Sequence, residues 1–312
     1  MSRYGRSLTS LDDARETDRR DPMAGLRAYF GQGYEIMAPG DAEEPILAPN
    51  VRVALFAWLA EIRAADELKA VGLKPRSTAL FYGPPGCGKT TMAHHLAARL
   101  GLPLLVVGSE NIISSGWGEA EQALTKLFAK LKSAPSPVVA FIDEIEGIGG
   151  SRDQNTRGGA DNARTNLLGV MLRKIETYEG FFIGATNRPD DIDQALWRRF
   201  HLQVSIDLPG GEERFAIIRR YGLPFQFTDD DVDLLTDLTE GASPALLRGV
   251  MEGVKRALVI GARIGIDITD PVRVFSRVLT SVKPPPEIEN PPLWHSAEAV
   301  CALSWPPARE AA

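Results

Sequence analysis

The chain has 312 residues, of which 44% are hydrophobic, and 35 basic against 41 acidic residues give a formal net charge of −6. This length suggests about two domains, and the acidic balance argues against a protein whose main task is to coat nucleic acid. We expect a cytoplasmic protein without a membrane span, because the chain lacks an apolar run of ~20 residues and a signal peptide, and its two cysteines fit a reducing compartment.

The N-terminal part, residues 1–45, is predicted to be a flexible charged arm. Residues 1–23 in particular carry both signs of charge and few apolar side chains, so burial cannot offset the entropy of ordering them. Over residues 51–68, apolar residues recur at helical spacing, which predicts a helix that leads into a domain.

Residues 46–208 are predicted to form a large α/β domain, in which short apolar runs alternate with helical segments. The runs are ALFY (79–82), LPLLVV (102–107), VVAFI (138–142), FFIGA (181–185) and LQVSI (202–206). Apolar strands that alternate with helices indicate a parallel sheet covered on both faces. We therefore predict a three-layer α/β/α domain.

Residues 209–282 are predicted to form a small all-helical lid domain behind the hinge Pro209-Gly210-Gly211. The predicted helices span 212–220, 229–238, 244–260 and 271–282, and no strand is predicted here. Ser243 is expected to cap the third helix and Pro244 to be its first residue.

Residues 283–312 contain repeated prolines, which do not fit a helix interior. We predict an extended tail, with Trp294 and Trp305 as its anchors. Such a tail, like the N-terminal arm, is where we expect a partner to bind.

The segment GPPGCGKTT (83–91) follows a predicted strand and precedes a helix. It matches the phosphate-loop pattern G-x-x-x-x-G-K-[ST], whose backbone N–H groups cradle phosphates. Lys89 is expected to bind the β- and γ-phosphates of ATP, and the Thr90 hydroxyl to bind Mg²⁺. The residues expected to contact the nucleotide here are Gly83, Pro84, Pro85, Gly86, Cys87, Gly88, Lys89, Thr90 and Thr91.

Cys87 occupies a variable position of this pattern. Its thiol lies next to Lys89 and a helix N-terminus, two features that lower a thiol pKa. Two interpretations therefore stay open: an oxidation-sensitive thiol, or a small side chain that only fills space.

Two carboxylates end the predicted strand in VVAFIDE, about fifty residues after the phosphate loop. Asp143 is expected to hold Mg²⁺ through water, as the metal-side carboxylate of phosphate-loop ATPases does. Glu144 is expected to orient and polarise the attacking water.

The segments GPPGCGKT, FIDEIEGI and FIGATNRPDDIDQALWRRF together resemble the AAA family of ring-forming ATPases, over roughly residues 46–260. The resemblance implies that Asn187 is a sensor of the γ-phosphate or the attacking water. It also implies that Arg198 and Arg199 reach the nucleotide of a neighbouring subunit. An arginine of this kind contributes ~10³–10⁵ to the rate in other systems, so hydrolysis would depend on assembly.

Two further positions depart from the family pattern. The segment 110–128 resembles the central-pore segment, but Gly116 stands where an aromatic residue is usual, and Trp117 follows it. Trp117 either grips polypeptide in the pore or packs within the subunit. Arg248, one turn into the third lid helix, is either a second nucleotide sensor or a solvated arginine.

The leading hypothesis is a homo-oligomeric ring of six subunits that hydrolyses ATP to remodel, unfold or disassemble a protein partner. An adaptor or substrate would bind the arm or the tail. One alternative is a nucleic-acid-associated ATPase, which the acidic balance disfavours. The other is a nucleotide-gated scaffold, which Gly116 favours and the complete set of hydrolytic residues disfavours.

Overall fold

A computed structural model of the chain describes residues 23–113, 117–149, 159–265, 267–286 and 289–309. The strands in these ranges are Glu35–Met37 (β1), Thr78–Tyr82 (β2), Leu104–Gly108 (β3), Val139–Asp143 (β4), Phe182–Thr186 (β5), Leu202–Ser205 (β6), Phe225–Gln226 (β7) and Ala308–Arg309 (β8). The helices before β7 are Ala24–Phe30 (α1), Pro49–Arg63 (α2), Ala65–Ala70 (α3), Lys89–Arg99 (α4), Glu110–Ile113 (α5), Trp117–Lys132 (α6), Glu146–Gly149 (α7), Gly159–Thr177 (α8), Gln194–Trp197 (α9) and Gly211–Gly222 (α10). The later helices are Asp229–Leu238 (α11), Pro244–Ile260 (α12), Pro271–Ser281 (α13) and Pro292–His295 (α14), and 3₁₀ turns occupy Pro39–Asp41, Pro189–Asp191, Gly261–Ile264 and Ala297–Ala302. Among these described helices, none is both long enough and apolar enough to cross a bilayer.

The larger sheet contains β1 to β6 in the order β1-β3-β4-β5-β2-β6. Its neighbouring strands are parallel except for the β1–β3 pair, which is antiparallel. Successive residues of a strand point to opposite faces, so Leu80 belongs to one buried cluster and Phe81 to the other. Helices cover both clusters, and the prediction of a three-layer domain with a parallel sheet is confirmed.

The segment before this domain is folded over its described part, residues 23–45. Leu26, Phe30 and Ile36 are buried in the core on one face of the sheet. β1 extends the sheet beside β3, and the buried imidazole of His94 on α4 bonds through Nε2 to the carbonyl oxygen of Ala38, 2.8 Å away. The prediction of a flexible arm is therefore wrong for these residues, because their few apolar side chains find a core outside their own segment. Residues 1–22 lie outside the described ranges.

The helices α10 to α13 pack around a third buried cluster and form the predicted lid. α11 and α12 have the predicted bounds. The Ser243 hydroxyl accepts a hydrogen bond from the Leu246 N–H at 3.3 Å, and Pro244 is the first residue of α12. Local capping chemistry therefore determines where this helix begins.

The tail is not extended over its described residues, 283–286 and 289–309, contrary to its prediction. The side chains of Leu293, Val300 and Leu303 are buried in the lid core. The indole N–H groups of Trp294 and Trp305 donate to backbone carbonyls of the lid, at 2.9 and 2.8 Å. β8 pairs with β7, so a small strand pair exists where none was predicted. The prolines exclude long helices but permit a short helix that begins at Pro292. The apolar side chains of this helix pack in the lid core.

Asp231 joins this tail to the lid. Its buried carboxylate accepts hydrogen bonds from the backbone N–H of Thr228 at 3.0 Å and of Ser304 at 2.7 Å. Burial by itself raises the pKa of this carboxyl, but the hydrogen bonds outweigh burial and hold the pKa below its usual value. The charged form is thus the form that stabilises the fold.

We expect Asp231→Asn to lower the free energy of unfolding at pH 7 by ~1–3 kcal/mol, because a buried N–H loses its acceptor. A carboxyl whose pKa is lowered on folding stabilises the folded state at pH values above its pKa in the unfolded chain, near 4. This stabilisation disappears as the pH falls through the lower pKa of the folded state. The stability difference from the wild type should therefore shrink below pH 4. Urea denaturation from pH 7 to pH 3 measures it, with exposed Asp233→Asn on the same helix as the control. Equal effects of the two substitutions would contradict this role.

Candidate active site

Three neighbouring strands of the larger sheet end at one cleft. β4, β5 and β2 are adjacent and parallel, so their carboxyl ends share one edge, where open α/β sheets bind ligands. A cleft of about 360 Å³, called the central cleft below, lies here between the sheet and the lid helices α10 and α12. The sequence-predicted residues that line it are Pro85, Gly86, Cys87, Gly88, Lys89, Thr90, Thr91, Asp143, Asn187 and Arg248.

The loop between β2 and α4 approaches other backbone segments closely. Gly83 has φ +142°, and a Cβ atom there would lie 2.2 Å from the carbonyl oxygen of Ile206. Gly86 has φ +76°, and its carbonyl oxygen accepts a hydrogen bond from the Ala245 N–H of the lid at 3.1 Å. Glycine is therefore required at Gly83 by both conformation and space, and the loop directly contacts the start of α12.

Lys89 carries a buried charge at the centre of this loop. Its side chain is 6% exposed, and its Nζ donates to the carbonyl oxygens of Gly83 and Pro84 at 2.8 Å each. Burial lowers the pKa of Lys89, and nearby acidic groups offset only part of that shift. No ion pair involves this ammonium within the part of the chain that the structure describes. Because a buried charge is costly unless it is paired, the loop favours an anionic ligand.

Two oxygen ligands lie beside the ammonium. The Thr90 hydroxyl donates to the Asp143 carboxylate, with 3.3 Å between Oγ1 and Oδ2. Over the described residues, no group of three His, Cys, Asp or Glu side chains is arranged to hold a metal. Mg²⁺ suits such a sparse site, since it is commonly bound by one or two protein oxygens together with water and substrate phosphates.

Glu144 and the phosphate loop line different clefts. Its backbone lies in the left-handed region at φ 50°, which costs a non-glycine residue ~1–2 kcal/mol, and its N–H donates to Asp143 Oδ1 at 3.0 Å. The residue does not line the central cleft but a second cleft of about 560 Å³, which it shares with Asp143, Tyr34 and Glu110. Asp143 lines both clefts, whereas Glu144 lines the second.

Arg248 lines the central cleft while contacting its own subunit. Its Nε donates to Glu252 at 2.8 Å, its Nη1 lies 3.7 Å from a Glu43 carboxylate oxygen, and its guanidinium lies 5.1 Å from the ring centroid of Tyr221. The prediction of a lid arginine near the nucleotide is compatible with this location, and its role stays a prediction.

A segment and a helix face that the sequence did not predict complete the cleft. Residues 43–47 line it, as do Ile217, Arg220 and Tyr221 of α10. Ile46 packs against the lid core and Leu47 against the sheet core. The only sequence signal is an Ile-Leu pair between Pro45 and a later proline, which does not indicate where the segment lies.

Neither Arg198 nor Arg199 lines the central cleft. Arg199 pairs with Glu176 at 3.8 Å, whereas Arg198 is exposed and makes no side-chain hydrogen bond or ion pair with the described residues. Trp117 begins α6, and Gly116 lies outside the described residues. The two interpretations of the pore segment therefore stay open.

The thiol of Cys87 is buried in the sheet core. Burial raises its pKa to about 11, although Lys89 acts in the opposite direction. The hypothesis of a lowered pKa is wrong, because loss of solvent around the thiolate outweighs one nearby cation. Cys87 fits the interpretation of a small side chain that fills space.

We expect the Cys87 thiol to resist alkylation, since a pKa raised by about two units reduces the thiolate fraction about a hundredfold. In a Cys301→Ser variant, which removes the exposed cysteine, labelling at pH 7.5 should be at least about a hundredfold slower in the folded than in the urea-unfolded protein. Mass spectrometry over time measures both rates. Rapid labelling of the folded variant would revive the reactive-thiol hypothesis.

Comparison with known proteins gives a consistent set of similarities. Residues 79–208 match the family model "ATPase family associated with various cellular activities (AAA)". The chain is 32% identical over 264 residues to a proteasome-activating nucleotidase of Thermococcus onnurineus, with 80% of this chain and 64% of the relative covered. It is 36% identical over 236 residues to the uncharacterized AAA family ATPase y4kL of Sinorhizobium fredii, with 74% of this chain and 68% of the relative covered. The chain thus spans less than two thirds of the nucleotidase.

The fold is similar to that in a crystal structure of the FIGL-1 AAA domain. The TM-score is 0.63, and the match covers 86% of this chain and 93% of that chain. The sequences are only 22% identical, so this similarity concerns the fold alone.

Proposed function

Because the chain belongs to the AAA family of ATPases, we propose that it binds ATP in the central cleft and hydrolyses it to ADP and phosphate. The observation that carries this proposal is the buried Lys89 ammonium, which bonds to the carbonyl oxygens of Gly83 and Pro84. A triphosphate supplies the opposite charge that this ammonium lacks among the described residues. The N-terminus of α4 adds partial positive charge at the same end of the cleft.

Mg²⁺ is expected to bind together with the nucleotide. The Thr90 hydroxyl and the Asp143 carboxylate would hold it, and both are hard oxygen ligands. The bound ion would neutralise negative charge on the β- and γ-phosphates. Lys89 would bind the same phosphates from the loop and so orient the γ-phosphoryl group toward the second cleft.

The second cleft offers water a route to Asp143 and Glu144. We expect the Glu144 carboxylate to orient the attacking water and accept its proton, while the bond from Pγ to the bridging oxygen breaks. Asn187 lines the central cleft directly after β5, where its amide can contact the γ-phosphate or the water. The exposed Glu144 side chain would have to turn toward the phosphates for this step.

Arg198 is the stronger candidate for an arginine that acts on a neighbouring subunit. Neither arginine of the pair lines its own central cleft, which favours action between subunits over action within one. Arg199 is engaged with Glu176 at 3.8 Å, whereas Arg198 is exposed and uses none of its donors on described residues. A head-to-tail ring, of six subunits by family resemblance, would bring each Arg198 to the next nucleotide.

We further propose that ATP turnover serves to remodel, unfold or disassemble a protein partner. Support comes from the 32% identity to a nucleotidase named for activating the proteasome. Gly116 and Trp117 are the residues expected to meet polypeptide. The alternative is a nucleotide-gated scaffold, and Gly116, in place of the usual aromatic residue, is the observation that favours it.

The variant Glu144→Gln tests this function. It should bind ATP normally and hydrolyse it at least ~10²-fold more slowly, because general base catalysis contributes about 10²–10⁴. Steady-state phosphate release and the nucleotide retained after gel filtration measure the two effects. The control is Glu179→Gln, whose carboxylate is 91% exposed. A normal rate of Glu144→Gln would show that another group orients the water.

The same variant tests the choice between remodelling and scaffolding. Under ATP, Glu144→Gln should retain a protein partner that the wild type releases. Trp117→Ala should then lose processing of that partner while its ATPase rate survives. Unchanged processing in Trp117→Ala would favour the scaffold.

A further inference from the structure

The residue before the arginine pair packs against the strand that ends in the phosphate loop. Trp197 is the last residue of α9 and is half-buried, and its ring lies 5.1 Å from that of Tyr82, centroid to centroid, at an angle of 56°. Tyr82 is the last residue of β2, and its carbonyl oxygen accepts a hydrogen bond from the Ile206 N–H at 2.8 Å. Trp197 thus rests on an aromatic ring whose own backbone is held on both sides by the sheet.

The backbone around Arg198 is held by side chains of β2 and β6. The amide Nε2 of Gln203 donates to the carbonyl oxygens of Trp197 and Phe200. The Thr78 hydroxyl donates to the carbonyl oxygen of Arg199 at 3.1 Å. Contacts therefore hold the turn on both sides of Arg198, and the direction of its Cα–Cβ bond is set by the turn.

The Arg198 side chain has no comparable anchor. It is exposed, and its guanidinium makes no hydrogen bond or ion pair to any residue that the structure describes. A free arginine carries about 2 kcal/mol of rotamer entropy, so its guanidinium samples a wide volume around a fixed base. The packing of Trp197 on Tyr82, together with the hydrogen bonds from Gln203 and Thr78, therefore decides which volume the guanidinium samples.

We propose that Trp197, supported by the ring of Tyr82, is a positioning residue that directs Arg198 at the nucleotide of the neighbouring subunit. This inference rests on the proposed function, in which Arg198 acts between subunits. Trp197 does not line the central cleft of its own subunit, so it has no contact with the nucleotide bound there and would act through Arg198. Loss of Trp197 should lower hydrolysis at the neighbouring subunit's nucleotide and not at its own. A role in folding alone would not produce this asymmetry.

The test mixes two inactive variants. The donor is Lys89→Ala, which retains Arg198 but should not bind ATP, and the acceptor is Arg198→Ala, which binds ATP but lacks the arginine. Mixed assemblies should recover ATPase activity that neither variant has alone. If they do not, the proposed action of Arg198 between subunits fails, and the positioning role fails with it.

Trp197→Ala is then added to one partner at a time. In the donor it should reduce the recovered kcat at least ~tenfold, since a displacement of about 1 Å can cost 10²-fold. In the acceptor it should change the recovered kcat less than twofold. Trp197→Phe in the donor should restore most of the recovered kcat. Tyr82→Phe in the donor, which keeps the ring, should give the same recovered kcat as the unmodified donor.

Two outcomes overturn the proposal. Equal losses with Trp197→Ala in donor and acceptor would assign Trp197 to folding alone, and no loss in either would remove it from the reaction. Gel filtration of each mixture confirms that the altered subunits co-assemble. If the alanine variant does not co-assemble, the comparison uses Trp197→Leu in donor and acceptor, read by the same criterion.

Discussion

Replacing Lys89 by alanine should abolish ATP binding at micromolar nucleotide. The ammonium is the buried cation of the central cleft, 6% exposed and already within 2.8 Å of two loop carbonyls. Each hydrogen bond to a charged group contributes ~1.5–3 kcal/mol, and 1.4 kcal/mol corresponds to about tenfold in Kd. We therefore expect affinity to fall at least about a hundredfold. Titration with a fluorescent ATP analogue measures it.

The control for this substitution is Lys74→Ala, which removes a lysine that is 89% exposed. It should bind ATP like the wild type. In Lys89→Ala the carbonyl oxygens of Gly83 and Pro84 lose their hydrogen-bond donor. This loss should change the free energy of unfolding by about 1 kcal/mol, which thermal unfolding measures. Near-normal affinity in a folded Lys89→Ala protein would mean that another cation holds the phosphates.

Arg198→Ala should lower kcat of the assembled protein by about 10³-fold or more while ATP affinity changes little, because an arginine finger stabilises charge mainly in the transition state. Arg198→Lys should recover only a small part of the rate, since an ammonium lacks the planar fork of a guanidinium. Single-turnover hydrolysis measures the rate, and equilibrium titration measures the affinity.

The comparison with Arg199→Ala decides between the two arginines. Arg199 already pairs with Glu176 of its own subunit, and a surface pair of this kind contributes ~0–1 kcal/mol. We expect Arg199→Ala to lower kcat less than Arg198→Ala does. Arg277→Ala, on an exposed face of α13, removes the same charge elsewhere and should leave kcat unchanged. A larger loss in Arg199→Ala would exchange the two roles.

Much of the fold follows from local sequence patterns. The apolar runs of the large domain become β2 to β6. Each of β2 to β5 buries side chains on both faces of the sheet between helices, whereas β6, at the sheet edge, buries Val204 on one face. α12 has its predicted bounds, since Ser243 caps it by accepting a hydrogen bond from the N–H of Leu246, three positions later in the chain. Patterns of this kind depend on neighbours within one turn or one strand.

The wrong predictions about the fold concern segments with few apolar residues. The apolar residues Leu26, Phe30 and Ile36 are too widely spaced to predict that their segment is buried. They nevertheless pack in a core that residues of α6 and β3 also form. The tail from residue 283 contains prolines that exclude long helices, yet Leu293 and Val300 complete the lid. In both cases the partners lie far away in the chain, where a local pattern carries no information.

For the candidate active site, local sequence patterns predict the phosphate loop, the carboxylates after β4 and the polar residue after β5, because parallel strands bring their carboxyl ends to one edge. No local pattern predicts that residues 43–47 and Tyr221 line the central cleft, that Glu144 lines a second cleft, or that Arg198 is exposed while Arg199 is paired. These properties depend on distances between residues about 20 to 200 positions apart, which follow from the packing of distant segments and not from the order of neighbouring residues.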